Sequence, residues 1–197
     1  MTEIKSALEL ALERTQNIKS DKETLEANDS RNRGRRLASA LINPQEEPGN
    51  PLEEIKKASG KEGRWIKEGF FQVLLANLNL PLDDQYGPKL TKLEKGFQAV
   101  IKDRKNVSYV MQQLKQFFEQ YLQSRDQVGE SLKQQYEPQL REKERALAQQ
   151  MGATIHLEPE SDPDFNAILA KNLSRLEEQY NQALQQAKEE LQTLFGH

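Results

Sequence analysis

Residues 90–132 read LTKLEKGFQAVIKDRKNVSYVMQQLKQFFEQYLQSRDQVGESL, and the spacing of their apolar side chains sets the expected architecture. Leu90, Leu93, Phe97, Val100, Arg104, Val107, Met111, Leu114, Phe118, Tyr121, Arg125, Val128 and Leu132 recur at steps of three and four. That is the seam of a coiled coil or a long bundle helix, interrupted by the two arginines. Continued through Tyr136, Leu140 and Leu147 to Met151, the pattern describes one helix of about 60 residues and roughly 90 Å. Pro138 lies inside it and predicts a kink there, because its ring removes a backbone donor.

The rhythm stops at Met151–Phe165, MGATIHLEPESDPDF. Gly152 is placed to end the helix. Ala153 to Leu157 alternate in polarity as an extended segment does, and Pro159 prevents a return to helix. Asp162 and Pro163 then form a cap and a first helical residue. Phe165, Leu169, Leu173, Leu176, Tyr180, Ala183, Ala187, Leu191 and Leu194 mark a last helix of about 30 residues. Its apolar stripe needs cover, so it is expected to fold back on the preceding helix, with Phe165 beside Met151 and Leu194 beside Phe117 or Phe118. The expected fold is all-α: an elongated helical bundle with a long C-terminal antiparallel, coiled-coil-like hairpin.

Working toward the N-terminus, Pro44–Pro51, PQEEPGNP, is a breaker. Asn50 and Pro51 restart a helix whose apolar side is Leu52, Ile55 and Ala58. The run RWIKEGFFQVLLANLNL places Trp65, Phe70, Val73, Leu74 and Leu78 on one broad face, and Pro81 ends it. Before the breaker, Ile4, Leu8, Ala11, Thr15, Ile18, Lys22 and Leu25 form a narrow amphipathic stripe, with Thr2 as a cap. Gly34 weakens a continuation of that helix to Ile42 by about 1 kcal/mol relative to alanine. The chain divides on this reading into residues 1–43, an N-terminal amphipathic helix or helix pair; 44–87, a linker and short helical segment around Trp65; and 88–197, the hairpin with its connection near 152–163.

Composition agrees with narrow stripes rather than one large core. The hydrophobic fraction of 36% stays low even with the 10 glycines added, against roughly 45 to 50% for globular chains. A net charge of -3 gives no dominant field and argues against a general nucleic-acid binder. Without cysteine there is no disulfide framework or thiolate chemistry. No secretory leader is recognisable, and no apolar run approaches the ~20 residues of a membrane span. A soluble cytoplasmic protein is the expectation, and the acidic residues on the first helix disfavour membrane binding.

Three places carry candidate chemistry. His156, followed by Glu158, Glu160 and Asp162, offers donors for a divalent metal. It lacks the spacing of an EF-hand, of HExxH or of a helical Glu-x-x-His motif. The connection therefore reads as structural, with no metal, cofactor or catalytic residue assigned. Arg31, Arg33, Arg35 and Arg36 in RNRGRR are candidate phosphate contacts. On a helix they split between two sides, and no aromatic beside them offers base stacking. GKEGRW, Gly60 to Trp65, lacks the later residues of a phosphate loop.

IKSALELALERT, GATIHLEPESDPDF and EEQYNQALQQAKEEL together resemble an uncharacterised family of short bacterial all-helical proteins, a domain of unknown function. That resemblance implies no activity. The functional expectation is a non-enzymatic interaction or scaffold protein acting through protein contacts. Nucleic-acid binding through Arg31 to Arg36 is the alternative, and metal-dependent activity near His156 ranks below it. Candidate interface residues are Ile4, Leu8, Leu12, Ile18, Trp65, Phe70, Phe97 and Val107. The first helix is expected to pack on the proximal half of the long helix, its own or that of a second subunit in a homodimer.

Overall fold

A computed structural model describes residues 7–44 and 49–196, with side chains from residue 22 onward. The described residues form six α-helices and no strand: α1 (Ala7–Ile42), α2 (Pro51–Lys57), α3 (Gly60–Asn77), α4 (Gly87–Val100), α5 (Arg104–Met151) and α6 (Pro163–Gly196). The fold is all-α. The chain forms two compact units that interleave along the sequence. The first holds the described residues up to Leu78, Lys89–Ser108 and the last residues from Thr193; the second holds Asn79–Pro88 and Tyr109–Gln192. Neither coincides with the division at 44 and 88.

In the first unit, α1 runs unbroken through Gly34, and the reason lies in what it packs against. Ala27, Ser30, Gly34 and Ala38, at steps of three and four, are all buried. This stripe of small residues admits the backbone of α3 instead of side chains. A Cβ on Gly34 would sit 1.9 Å from the carbonyl oxygen of Ile66, and one on Gly69 would sit 2.0 Å from that of Arg31. Cross-helix pairs join Glu23 to Lys61, Arg31 to Glu68, and Arg35 to Gln72. Their nearly constant sequence offset shows that α1 and α3 run parallel. α2 lies in the return between them, with Ile55 fully buried. Cover for the described part of α1 thus comes chiefly from α3; the expected packing of Ile4, Leu8, Ala11 and Ile18 on the long helix lies outside the described side chains. The end of α1 reaches α4, where Lys92 Nζ donates to the Ile42 carbonyl at 2.9 Å.

The predicted single helix from Leu90 to Met151 is two helices. Residues 101–103 interrupt it. Asp103 caps α5, its carboxylate accepting the Asn106 backbone N–H at 3.1 Å and the Asn106 side-chain amide at 2.8 Å. Ile101 is buried at the break. Arg104 had looked like an interruption of a continuous seam because it is the first residue of a new helix. Phe70, Leu74, Leu93, Phe97 and Val107 fill the core of this unit, with Phe71 edge-on to Phe97 and stacked on Phe195 at 4.2 Å between ring centroids.

In the second unit the contacts between α5 and α6 step in opposite directions. Tyr180 meets Phe117 at 5.0 Å and Ser124 at 3.0 Å, and Phe165 meets Tyr136 at 5.4 Å. The expected register fails. Phe165 lies on Tyr136 and Leu140, while Met151 is exposed, and Tyr180 reaches Phe117. The cause is the connection, which does not simply cap a tip. After Gly152, at φ +67°, the chain runs back along α5. Leu157 N–H donates to Glu144 at 2.8 Å, and Asp162 meets Lys143 and Tyr136 before α6 begins. α5 continues through Pro138. Arg125, the second seam interruption, donates to the Leu82 carbonyl of the preceding loop.

Candidate interaction site

The break at 101–103 has a consequence on the surface of the first unit. It brings Lys102 and Arg104 to the lining of an open groove of about 1030 Å³ that Arg64 and Lys67 of α3 also line. Arg64 and Lys67 are three apart and so share a helix side. Ala99 and Val100 at the end of α4, with Leu194 and Phe195 at the end of α6, give the groove an apolar part. All four are partly exposed. Phe195 is held in place by its stack on Phe71.

The charge balance of the groove departs from that of the chain. Among the described residues, four cations line it against one carboxylate, Glu68, and that carboxylate accepts from Arg31 Nε at 3.0 Å. The neighbouring Asp103 is held by Asn106 at the start of α5. A locally positive, partly apolar hollow therefore sits in a chain of net charge -3.

The residues singled out from the sequence fare differently. Phe70, Phe97 and Val107 are completely buried within the first unit, which corrects their placement among interface candidates: they are core. Trp65 is half-buried, with Lys61 Nζ 5.3 Å from its ring centroid. Ile4 and the side chains of Leu8, Leu12 and Ile18 lie outside the described residues.

Of the four arginines, Arg31 pairs with Glu68, Arg33 lies 3.7 Å from both Glu54 and Glu62, and Arg35 donates to Gln72 at 3.1 Å and Asn32 at 3.0 Å. A phosphate would have to displace these acceptors. Arg36 is exposed.

His156 stands between two carboxylates, Nδ1 3.0 Å from Glu144 and Nε2 3.6 Å from Glu158. Its side chain is 80% exposed, and Glu144 is already fastened to the Leu157 amide. Among the described residues, no group of three or more His, Cys, Asp or Glu side chains is arranged to hold a metal ion.

The densest polar cluster of the connection is the one around Asp162. Its carboxylate accepts from Lys143 at 2.7 Å, from the Tyr136 hydroxyl at 3.0 Å and from the Asp164 N–H at 2.9 Å. The hydrogen bonds that Lys143 donates to Asp162, then to Asp164 and Tyr136, drive its ammonium far above the ordinary lysine range. The bond from Lys143 holds Asp162 below the ordinary carboxylate range. Both shifts favour the charged forms, the opposite of what a lysine base or a carboxylic acid working near neutrality requires. The cluster is a latch: Asp162 caps α6 and ties the connection to α5. Glu160 and Lys133, 2.7 Å apart, add a second tie, their hydrogen bond lowering Glu160 and raising Lys133 toward the charged forms.

A family model described as a family of unknown function, DUF6657, matches residues 52–193. The chain belongs to this family. The DUF6657 match takes in Arg64, Lys67, Lys102 and Arg104 of the groove and the whole connection, while Arg31 to Arg36 precede it. Neither the curated proteins nor the solved structures contain a match. Among the described residues no helix is long and apolar enough to cross a membrane.

Sequence reasoning missed the groove because its residues come from three separated segments. The signal within reach was Ile101-Lys102-Asp103: an aspartate three residues before Asn106 is a cap pattern, and it sits where the seam meets its first charged residue.

Proposed function

We propose that this DUF6657 protein acts without catalysis, as a helical docking protein that receives a segment of a protein partner in the groove of its first unit. The observation that carries the reading is the composition of that groove, where Arg64, Lys67, Lys102 and Arg104 stand around a partly exposed apolar patch of Val100, Leu194 and Phe195. Mixed surfaces of this kind, with arginine and an aromatic beside aliphatic side chains, suit protein contacts. The engagement of Arg31, Arg33 and Arg35 with acceptors on α2 and α3 weighs against phosphate binding there. The latch chemistry around Asp162 supports a structural role for the connection.

The test is photo-crosslinking in cells. A benzophenone amino acid replaces Ala99 in the groove or, as control, Gln182 on the exposed side of α6. The expected result is a discrete protein adduct from position 99 and none from 182, with the identified partner then binding the purified full chain by calorimetry. Adducts to nucleic acid alone, or no adduct from position 99, would refute the docking role.

A further inference from the structure

We infer that the groove selects an acidic amphipathic segment, whose carboxylates meet Arg64, Lys67 and Arg104 while an apolar side chain meets Val100 and Leu194; this rests on the docking reading above. Among the described residues, Arg64, Lys67 and Arg104 bring positive charge to the groove without a carboxylate of their own. Arg64 and Arg104 are exposed and Lys67 is half-buried, and the one lining carboxylate is already paired with Arg31. Complementary charge speeds encounter and rejects wrong partners, since a basic segment placed here would face Arg64, Lys67 and Arg104. The apolar part adds a second requirement. A purely acidic polymer leaves Val100, Leu194 and Phe195 in water, whereas a leucine or similar side chain covers them.

The same two features separate an acidic peptide from a nucleic acid. Phosphates satisfy the cations but have nothing for the apolar side. Phe195 has one ring face against Phe71, and no other aromatic among the described residues lines the groove. Single-stranded binding relies on stacking platforms as well as charge.

The experiment is fluorescence anisotropy of the full chain with three labelled probes at low salt: a peptide of glutamate and leucine with amphipathic spacing, a peptide of glutamate alone, and a single-stranded oligonucleotide. The glutamate–leucine peptide is expected to bind saturably, and at least about tenfold tighter than the all-glutamate peptide, the factor that covering one leucine supplies. The triple variant Arg64→Glu, Lys67→Glu, Arg104→Glu is expected to weaken binding at least about tenfold. The conservative triple Arg64→Lys, Lys67→Arg, Arg104→Lys should retain it, and circular dichroism checks that each variant is folded. Absence of binding to the glutamate–leucine peptide, equal binding by the charge-reversed chain, or tighter binding of the oligonucleotide would overturn the inference. If position 99 still crosslinks to a protein while the peptide fails, the docking role stands and its acidic partner does not.

Discussion

Gly34→Ala separates two accounts of α1 by the sign of its effect. Helix propensity alone makes alanine better than glycine by about 1 kcal/mol in a helix interior, so a glycine that merely weakened α1 would be improved by replacement. The packing says otherwise. The new Cβ would lie 1.9 Å from the Ile66 carbonyl oxygen and 2.8 Å from the Phe70 nitrogen. Both are backbone atoms of α3, which no rotamer change removes. Bringing the shorter contact out to 3.4 Å requires α1 and α3 to part by about 1.5 Å (3.4 less 1.9), along a stripe where Ala27, Ser30 and Ala38 are buried. Overpacking costs ~1–3 kcal/mol and more where nothing can yield. After the propensity gain, a net loss of about 2 kcal/mol is expected, or a melting temperature lower by roughly 4 to 8 °C for a chain of this size. Gly129→Ala is the control, since a Cβ there meets nothing within 4 Å; it should raise stability by up to ~1 kcal/mol. Thermal unfolding followed by circular dichroism reads both. A Gly34→Ala chain that melts at or above the wild type would refute the backbone-contact account of the α1–α3 pair.

Other expectations follow from the same physics. The folded-state pKa of Asp162 is depressed, so its contribution to stability is present above the unfolded value near ~3.9 and is lost as pH falls through the lower folded value. Lys143 is raised, so its contribution is full below ~10.4 and is lost only as pH climbs through the higher folded value. Asp162→Asn should therefore lower the melting temperature at neutral pH and flatten the acid limb of a melting-temperature titration; an unchanged acid limb would contradict the latch. Asp103→Ala should cost about 1 kcal/mol through loss of the cap on α5, and Asp103→Asn far less, measured by urea unfolding. A double-mutant cycle on Arg31 and Glu68, each about 30% exposed, should give a coupling below ~1 kcal/mol, so a much larger value would mean the pair is sheltered more than its geometry implies.

Much of the helical layout was legible before any coordinates. The cap at Asp162–Pro163, the glycine stop at Gly152 and the breaker around Pro44 depend on local backbone chemistry, and local chemistry is what a sequence displays. What escaped were features set by partners distant in sequence. Ala27, Ser30, Gly34 and Ala38 carry little hydrophobicity, so a search for apolar stripes passes over the face that makes the closest helix contact. The register of α6 on α5 depended on whether the connection crosses at a tip or runs back along α5. Hydrogen bonds from Leu157 to Glu144 and from Lys143 to Asp162 determine that, and no periodicity announces them. The groove needed α3, the α4–α5 break and the end of α6 together, and its cations looked like ordinary solvated charge in each segment taken alone.

The most direct test of selection by the groove is a charge swap. The full chain carrying Arg64→Glu, Lys67→Glu and Arg104→Glu is titrated by anisotropy with the glutamate–leucine peptide and with a lysine–leucine peptide of the same spacing, beside the wild type. Complementarity in the groove predicts that the reversed chain loses the acidic peptide and gains the basic one, while the wild type shows the opposite preference. A folded reversed chain that keeps the preference of the wild type, or that takes neither peptide, would contradict it.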